Sequence, residues 1–203
     1  RRVINKEITE EDLYRGVEAA YQAGWQQVKL YFMVGLPTET DEDVGAIRRV
    51  AEEVSRRRRR FARSPARVNV SVAPFVPKPH TAFQWDPMAP LDRIEEIRGI
   101  LRGEGRRSAV QIKLHRPERS FLEGVFARGD RRLGRVLLEA HRLGCRFDAW
   151  DERFRMDLWR EAFSRAGVSP ETYAERQFER GAPLPWSHIG AGVSDAFLLR
   201  ERE

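Results

Sequence analysis

The sequence predicts an α/β fold in which helices and parallel strands alternate over the first half and a mainly helical region follows. Three observations carry this. Helix-like and strand-like segments alternate in the order α, β, α, β, α, β with short links. Each strand segment divides into one aliphatic face and one polar or mixed face. After His115 the strand signals stop, and glycines punctuate a run of helical segments. Strands joined through helices run parallel with right-handed crossovers. The pattern fits part of a (β/α) barrel or an open doubly wound sheet.

The first helix starts after Thr9, with Glu10, Glu11 and Asp12 in its opening turn. Leu13, Val17, Ala20 and Tyr21 follow at helical spacing, and Gly24 stops it. Residues 28–34 have the length and the β-branched and aromatic content of a strand, which Gly35-Leu36-Pro37-Thr38-Glu39 breaks. Thr40 and Asp43 resemble a capping box, and Val44, Ile47, Ala51 and Val54 stripe a second helix. A second strand covers residues 68–73 and ends at Pro74. Pro77 and Pro79 force an extended loop after it. Pro90 opens a third helix with Leu91, Ile94, Ile97 and Leu101 on one stripe, and residues 110–114 form a third strand. Helices are expected over residues 121–127, 131–143, 153–166 and 170–178, with Trp150, Trp159 and Trp186 docking them onto the α/β part. The segment Pro183-Leu184-Pro185-Trp186-Ser187-His188-Ile189 reads as irregular. The expected domains are residues 1–107 and residues 108–203.

The strand faces carry the functional argument. Val28, Leu30, Phe32 and Val34 oppose Lys29, Tyr31 and Met33; Val68, Val70 and Val72 oppose Asn69, Ser71 and Ala73; Val110, Ile112 and Leu114 oppose Gln111 and Lys113. A parallel sheet covered on both sides is apolar throughout, and an ordinary closed barrel fills its interior with Val, Ile and Leu. Here one face suits helices, and the other suits a wet or ligand-filled space, because buried polar groups need partners. Chemistry in such folds sits at the C-terminal ends of the strands, here residues 33–37 and 71–75. Gly35 admits either close backbone approach to a ligand or a tight strand-to-helix turn.

Composition narrows the classes. Lys+Arg number 37 against 31 Asp+Glu, and the arginines at 56–60 alone supply five of those cations. A like-charge block of this kind reads first as a solvated face or a helix end, and as an RNA-binding surface only in an alternative reading. No apolar run is long enough for a membrane helix, so no membrane partner is expected. The single Cys145 excludes an internal disulfide and any cysteine-rich metal or iron–sulfur site from this chain alone. A reducing, cytoplasmic setting follows as the default. His80, His115, His141 and His188 show no metal-ligand spacing, so no metal site is expected. Cys145, with His141 four residues before it, reads as buried and inert. Glu39 reads as a hydrogen-bond or dipole partner at a helix mouth. Starting at Arg1-Arg2 without Met, the chain reads as a piece of something longer.

Several stretches resemble a known family. Val3-Ile4-Asn5-Lys6-Glu7-Ile8-Thr9-Glu10-Glu11-Asp12-Leu13 and residues 29–44, with Gly35-Leu36-Pro37-Thr38-Glu39-Thr40, look like the second half of a radical S-adenosylmethionine (SAM) barrel. The turn is similar to the Gly-Phe-Pro-Gly-Glu-Thr turn of methylthiotransferase-type members. Val72-Ala73-Pro74-Phe75-Val76-Pro77-Lys78-Pro79-His80-Thr81, Phe83-Gln84-Trp85 and Pro185-Trp186-Ser187-His188-Ile189 resemble a group of radical SAM Fe–S oxidoreductase-type proteins. Some of these carry a cobalamin-binding-like domain before the barrel.

The resemblance implies the C-terminal part of a partial (β/α)6 TIM-like barrel with a mainly helical extension. It implies SAM and a [4Fe–4S] cluster as cofactors, and cobalamin for those members that carry the extra domain. The family's Cys-x-x-x-Cys-x-x-Cys motif is absent here. The cluster ligands would therefore lie outside the chain, and the chain alone would be inactive. In the family the reduced cluster cleaves SAM to a 5′-deoxyadenosyl radical, which abstracts a hydrogen atom. The resemblance places adenosine contacts at Met33, Val34 and Gly35 and at Val72, Ala73, Pro74 and Phe75, partly through backbone; the strand faces add Tyr31 and Ser71. Asn5 and Lys6 are candidates for the SAM carboxylate. The implied partners are the N-terminal remainder of the same protein and a substrate that is RNA in related methylthiotransferases.

Overall fold

The computed structural model describes residues 3–4, 6–102 and 109–202. Asn5 lies outside the described residues. The chain forms two compact units, Arg1–Phe75 with Ala89–Pro117, and Val76–Met88 with Glu118–Glu203.

The first unit is mixed α/β. Its elements alternate as expected: α1 (Glu10–Gln22), β1 (Gln27–Val34), α2 (Asp41–Arg57), β2 (Arg67–Pro74), α3 (Leu91–Arg102) and β3 (Val110–Leu114). Thr9 and Thr40 each accept from the backbone N–H three residues on, and Asp12 and Asp43 accept back from the cap backbone, so both helices start in full capping boxes. The strands form one parallel sheet in the order β1-β2-β3. Register sets Lys29 opposite Asn69 opposite Gln111, and Tyr31 opposite Ser71 opposite Lys113.

All three helices bury their stripes against the same side of the sheet. Val17 and Tyr21 of α1, Val44, Ile47 and Val54 of α2, and Ile94, Ile97 and Leu101 of α3 join Leu30, Val34, Val68, Val70, Val72 and Val110 in one cluster. Each such aliphatic contributes roughly 1.5–3 kcal/mol through burial. Polar ties close the gaps. The Tyr21 hydroxyl donates to Val54 O at 3.1 Å, and burial pushes its pKa up to about 12. The Ser55 hydroxyl donates to Ala66 O at 2.7 Å. Sequential strand order explains the one-sided arrangement: equal-handed crossovers moving in one direction across a sheet leave every helix on the same face.

The second unit holds α4 (Pro117–Ala127), α5 (Leu133–Arg142), α6 (Met156–Ala166), the single turn α7 (Glu171–Ala174) and α8 (Asp195–Arg202). At its centre Arg128 is fully buried. Its Nε donates to Tyr173 O at 3.0 Å, and its two terminal nitrogens reach Asp86 O and Arg176 O. The guanidinium lies 4.7 Å from the Phe178 ring centroid. Burial lowers its pKa to about 10, with Asp86 opposing the shift.

Two expectations for this region need correction, and one helix was not foreseen. The helix expected over residues 170–178 is one turn long. Arg128 takes the Tyr173 and Arg176 carbonyls, and Phe178 N–H is drawn off to Trp85 O at 2.9 Å. Trp150, expected to dock helices, is 62% exposed, in a turn whose N–H donates to Phe147 O; Trp159 and Trp186 are buried. Helix α8 had no periodic signal, because Phe197, Leu198 and Leu199 are consecutive and give no stripe.

Candidate functional site: the open sheet face

The sheet face opposite the helices bears Lys29, Tyr31 and Met33 of β1, Asn69, Ser71 and Ala73 of β2, and Gln111 and Lys113 of β3. Tyr31 is 72% exposed and Met33 43%; Lys29, Gln111 and Lys113 are exposed, and the β2 residues are half-buried. The expected sorting of strand faces therefore holds. The Lys29 ammonium sits 4.8 Å from the Tyr31 ring centroid.

Of the residues expected at the adenosine, Tyr31, Met33, Ser71 and Ala73 share this open face. Val34, Val72 and Pro74 have buried side chains, so only their backbone is available to a ligand at the rim. Phe75 is buried as well, and its N–H donates to Val34 O at 2.8 Å. Gly35 has φ +77, and a Cβ there would lie 3.0 Å from Ile94 Cδ1 and 3.1 Å from Ala89 Cβ. That side of Gly35 is filled by the first unit's own packing, which makes the glycine a turn requirement rather than an opening for a ligand. Its N–H donates to Glu39 Oε1 at 2.8 Å. Burial pushes the Glu39 carboxyl up, and the Gly35 hydrogen bond opposes it. Glu39 thus acts as a turn fastener, the hydrogen-bond role read from the sequence. Lys6 is exposed, on the segment before α1.

One residue at the face was missed. His115 Nε2 lies 2.8 Å from Ser71 Oγ, and His115 N–H donates to Val72 O at 2.8 Å, so the ladder runs one residue beyond β3. Carrying the alternation of Gln111 and Lys113 forward by two places would have found it.

Two hollows are present. In the first unit a cavity of about 450 Å³ is lined by Val3, Phe32, Leu36, Pro37, Ile47 and Val50, among others, and Met33 of the open face and Glu39 line it too. In the second unit a groove of about 460 Å³ runs along His80, Gln84, Trp186 and residues 189–195. There buried Gln84 accepts from Trp186 Nε1 at 2.9 Å and from His80 N at 3.0 Å, and donates to Asp195 Oδ1 at 3.1 Å. The Phe83-Gln84-Trp85 and Pro185-Trp186-Ser187 stretches, quoted above from distant parts of the sequence, are joined by this side chain.

Four of the arginines at 56–60 are engaged locally. Arg56 pairs with Glu53, Arg57 with Glu18 and Glu53, and Arg60 with Glu18, while Arg58 donates to Ser64 and to Trp25 O. Cys145 is buried, and burial raises its thiol pKa. Among the described residues no group of three or more His, Cys, Asp or Glu side chains is placed to hold a metal ion, and no helix is long and apolar enough to cross a membrane.

No family model and no solved structure matches the chain. The uncharacterised protein MJ0966 of Methanocaldococcus jannaschii is 33% identical over 139 residues, which make up 68% of this chain and 29% of that protein. The chain thus spans under a third of the relative it matches.

Proposed function

We propose that the chain is the C-terminal part of a radical SAM enzyme, in which β1 and β2 are barrel strands and the open face is the wall that meets the adenosyl group. The observation that carries this is the one-sided parallel sheet. Three sequentially ordered strands keep every helix on one face and leave a polar face bare, as a wall segment of a (β/α) barrel does when the remaining strands close it. A doubly wound sheet would place helices on both faces. That the match takes up only 29% of MJ0966 suits a segment that works inside a longer protein.

The residues present fit SAM and do not fit an iron–sulfur cluster. Tyr31 and Met33 offer an exposed aromatic and thioether surface of the kind a nucleoside packs on. With Cys145 alone and buried, cluster ligands must come from elsewhere. SAM bound here would supply hydrogen-atom abstraction once reduced by a cluster held outside this chain. The chain's own task is then binding and orientation: the Gly35–Glu39 bond fixes the first rim loop, and the ladder to His115 fixes the other. No observation favours RNA binding by the arginines at 56–60, since Glu18 and Glu53 already engage three of them.

The test uses the longer protein that contains this segment, purified anaerobically and reconstituted with iron and sulfide. Under a strong reductant it should convert SAM to 5′-deoxyadenosine and methionine. A protein that takes up no cluster, or a reconstituted one that leaves SAM intact, overturns the proposal.

A further inference from the structure

The open face has a one-sided charge. Its positions are Gln27, Lys29, Tyr31 and Met33 on β1, Arg67, Asn69, Ser71 and Ala73 on β2, and Gln111, Lys113 and His115 at β3. Three permanent cations and a histidine stand there without one carboxylate, although the chain as a whole carries 31 acids against 37 bases. Several cations elsewhere are matched by acids, as Arg57 is by Glu18 and Glu53, or Arg202 by Asp86. On this face Lys29 meets only the Tyr31 ring, and among the described residues Lys113 has no acidic partner. Neighbouring strands lie about 4.8 Å apart and same-face neighbours along a strand about 7 Å apart. On these spacings Lys29 and Arg67 stand about 8 Å apart, within a screening length of about 10 Å, while Lys113 stands apart from both.

A nucleoside does not resolve this. Adenosine brings no negative charge, so a ligand packed on Tyr31 and Met33 leaves Lys113 and His115 unmatched. An oxyanion would match them. Ser71 and Lys113 are register partners, and His115 is hydrogen-bonded to Ser71 at 2.8 Å, so a hydroxyl, an ammonium and an imidazole adjoin at the C-terminal rim of the sheet. The Ser71–His115 bond spends one donor of that pair; the other donor and the Lys113 ammonium are left to meet the oxygens of a phosphate.

We infer that Ser71, Lys113 and His115 bind a phosphate group of the substrate. The inference deepens the reading of this face as a ligand-facing wall and rests on it for the word substrate. The proposed enzyme would thus act on a phosphorylated compound, anchored beside the adenosyl group by its phosphate. Ser71 and His115 are positioning residues here: they hold the anion and take no part in bond breaking.

The longer protein that contains this segment provides the test. With histidine ring nitrogens labelled and the His115 signal assigned through His115→Gln, inorganic phosphate is titrated at fixed pH and ionic strength, with chloride as the balancing anion. The His115 ring signals should shift saturably. Binding should weaken by about tenfold or more in Lys113→Gln, the loss expected for one charge-assisted hydrogen bond. The control Lys78→Gln, whose lysine pairs with Glu123 in the second unit, should bind as the parent chain does. No saturable shift, an unaltered affinity in Lys113→Gln, or acetate acting as strongly as phosphate overturns the inference. SAM cleavage by the longer protein is an independent readout. If cleavage fails while phosphate binding survives, the adenosyl reading falls and the anion site stands; the reverse result removes the anion site alone.

Discussion

Replacing Arg128 with leucine should unfold the second unit or bring it close to unfolding. The guanidinium is fully buried and donates to three backbone carbonyls, those of Asp86, Tyr173 and Arg176, on two separate stretches of chain. Leucine fills part of the volume but leaves the carbonyls of buried Asp86 and Tyr173 without their donor. Hydrogen bonds to a charged donor contribute about 1.5–3 kcal/mol each, and an orphaned buried acceptor costs its desolvation as well. A net loss of about 3–5 kcal/mol follows, against a total stability of about 5–15 kcal/mol for a domain. Arg128→Lys should recover little, because a single ammonium cannot span three acceptors set in a fork. Trp85, Trp150, Trp159 and Trp186 all lie in the second unit, so intrinsic fluorescence during urea unfolding reads this unit almost alone. An unchanged fluorescence midpoint in Arg128→Leu would contradict the role given to this side chain.

The second large effect is expected at Gly35, and for a different reason. At φ +77 any other residue meets the left-handed penalty, about 1–2 kcal/mol. The added Cβ would then press on Ile94 Cδ1 at 3.0 Å and Ala89 Cβ at 3.1 Å, overpacking that costs about 1–3 kcal/mol in a tight core. Ile94 can yield by rotating; the left-handed backbone cannot. Gly35→Ala should therefore destabilise the first unit by about 2–4 kcal/mol. Relaxation of the turn should also loosen the Gly35–Glu39 hydrogen bond. Amide exchange at β1 and β2 resolves the effect from the second unit. Faster exchange in those strands with unchanged tryptophan fluorescence is the expected pattern, and wild-type exchange rates there would refute it.

Much of the first unit was legible because its rules are local. Two threonines with acids three residues on fix two helix starts, and period-two alternation in β1 and β2 separates the helix-facing valines from Tyr31, Met33, Ser71 and Ala73. The parallel order followed from the intervening helices. What escaped depends on contacts between distant residues. Arg128 cut short the helix expected over residues 170–178, and nothing near position 128 in the sequence marks a buried guanidinium. Residues 197–199 hide α8 because three consecutive apolar residues suit a strand as well as a helix. The filled side of Gly35 depends on Ile94, nearly sixty residues away. His115 was within reach, since only the assumption that the strand ends at Leu114 concealed it. The charge of the open face was also present in the sequence, but it acquires meaning once the three strands are placed side by side.

On the function proposed above, the polar side of this sheet lines a hollow that holds the nucleoside of SAM. The most direct measurement is an experimental structure of the longer protein determined anaerobically with SAM bound. Further strands should continue the sheet beyond β1, and adenosine should lie against Tyr31, Met33 and Ala73. A structure in which helices pack flat onto Tyr31 and Met33, or in which SAM occupies another part of the protein, would contradict it.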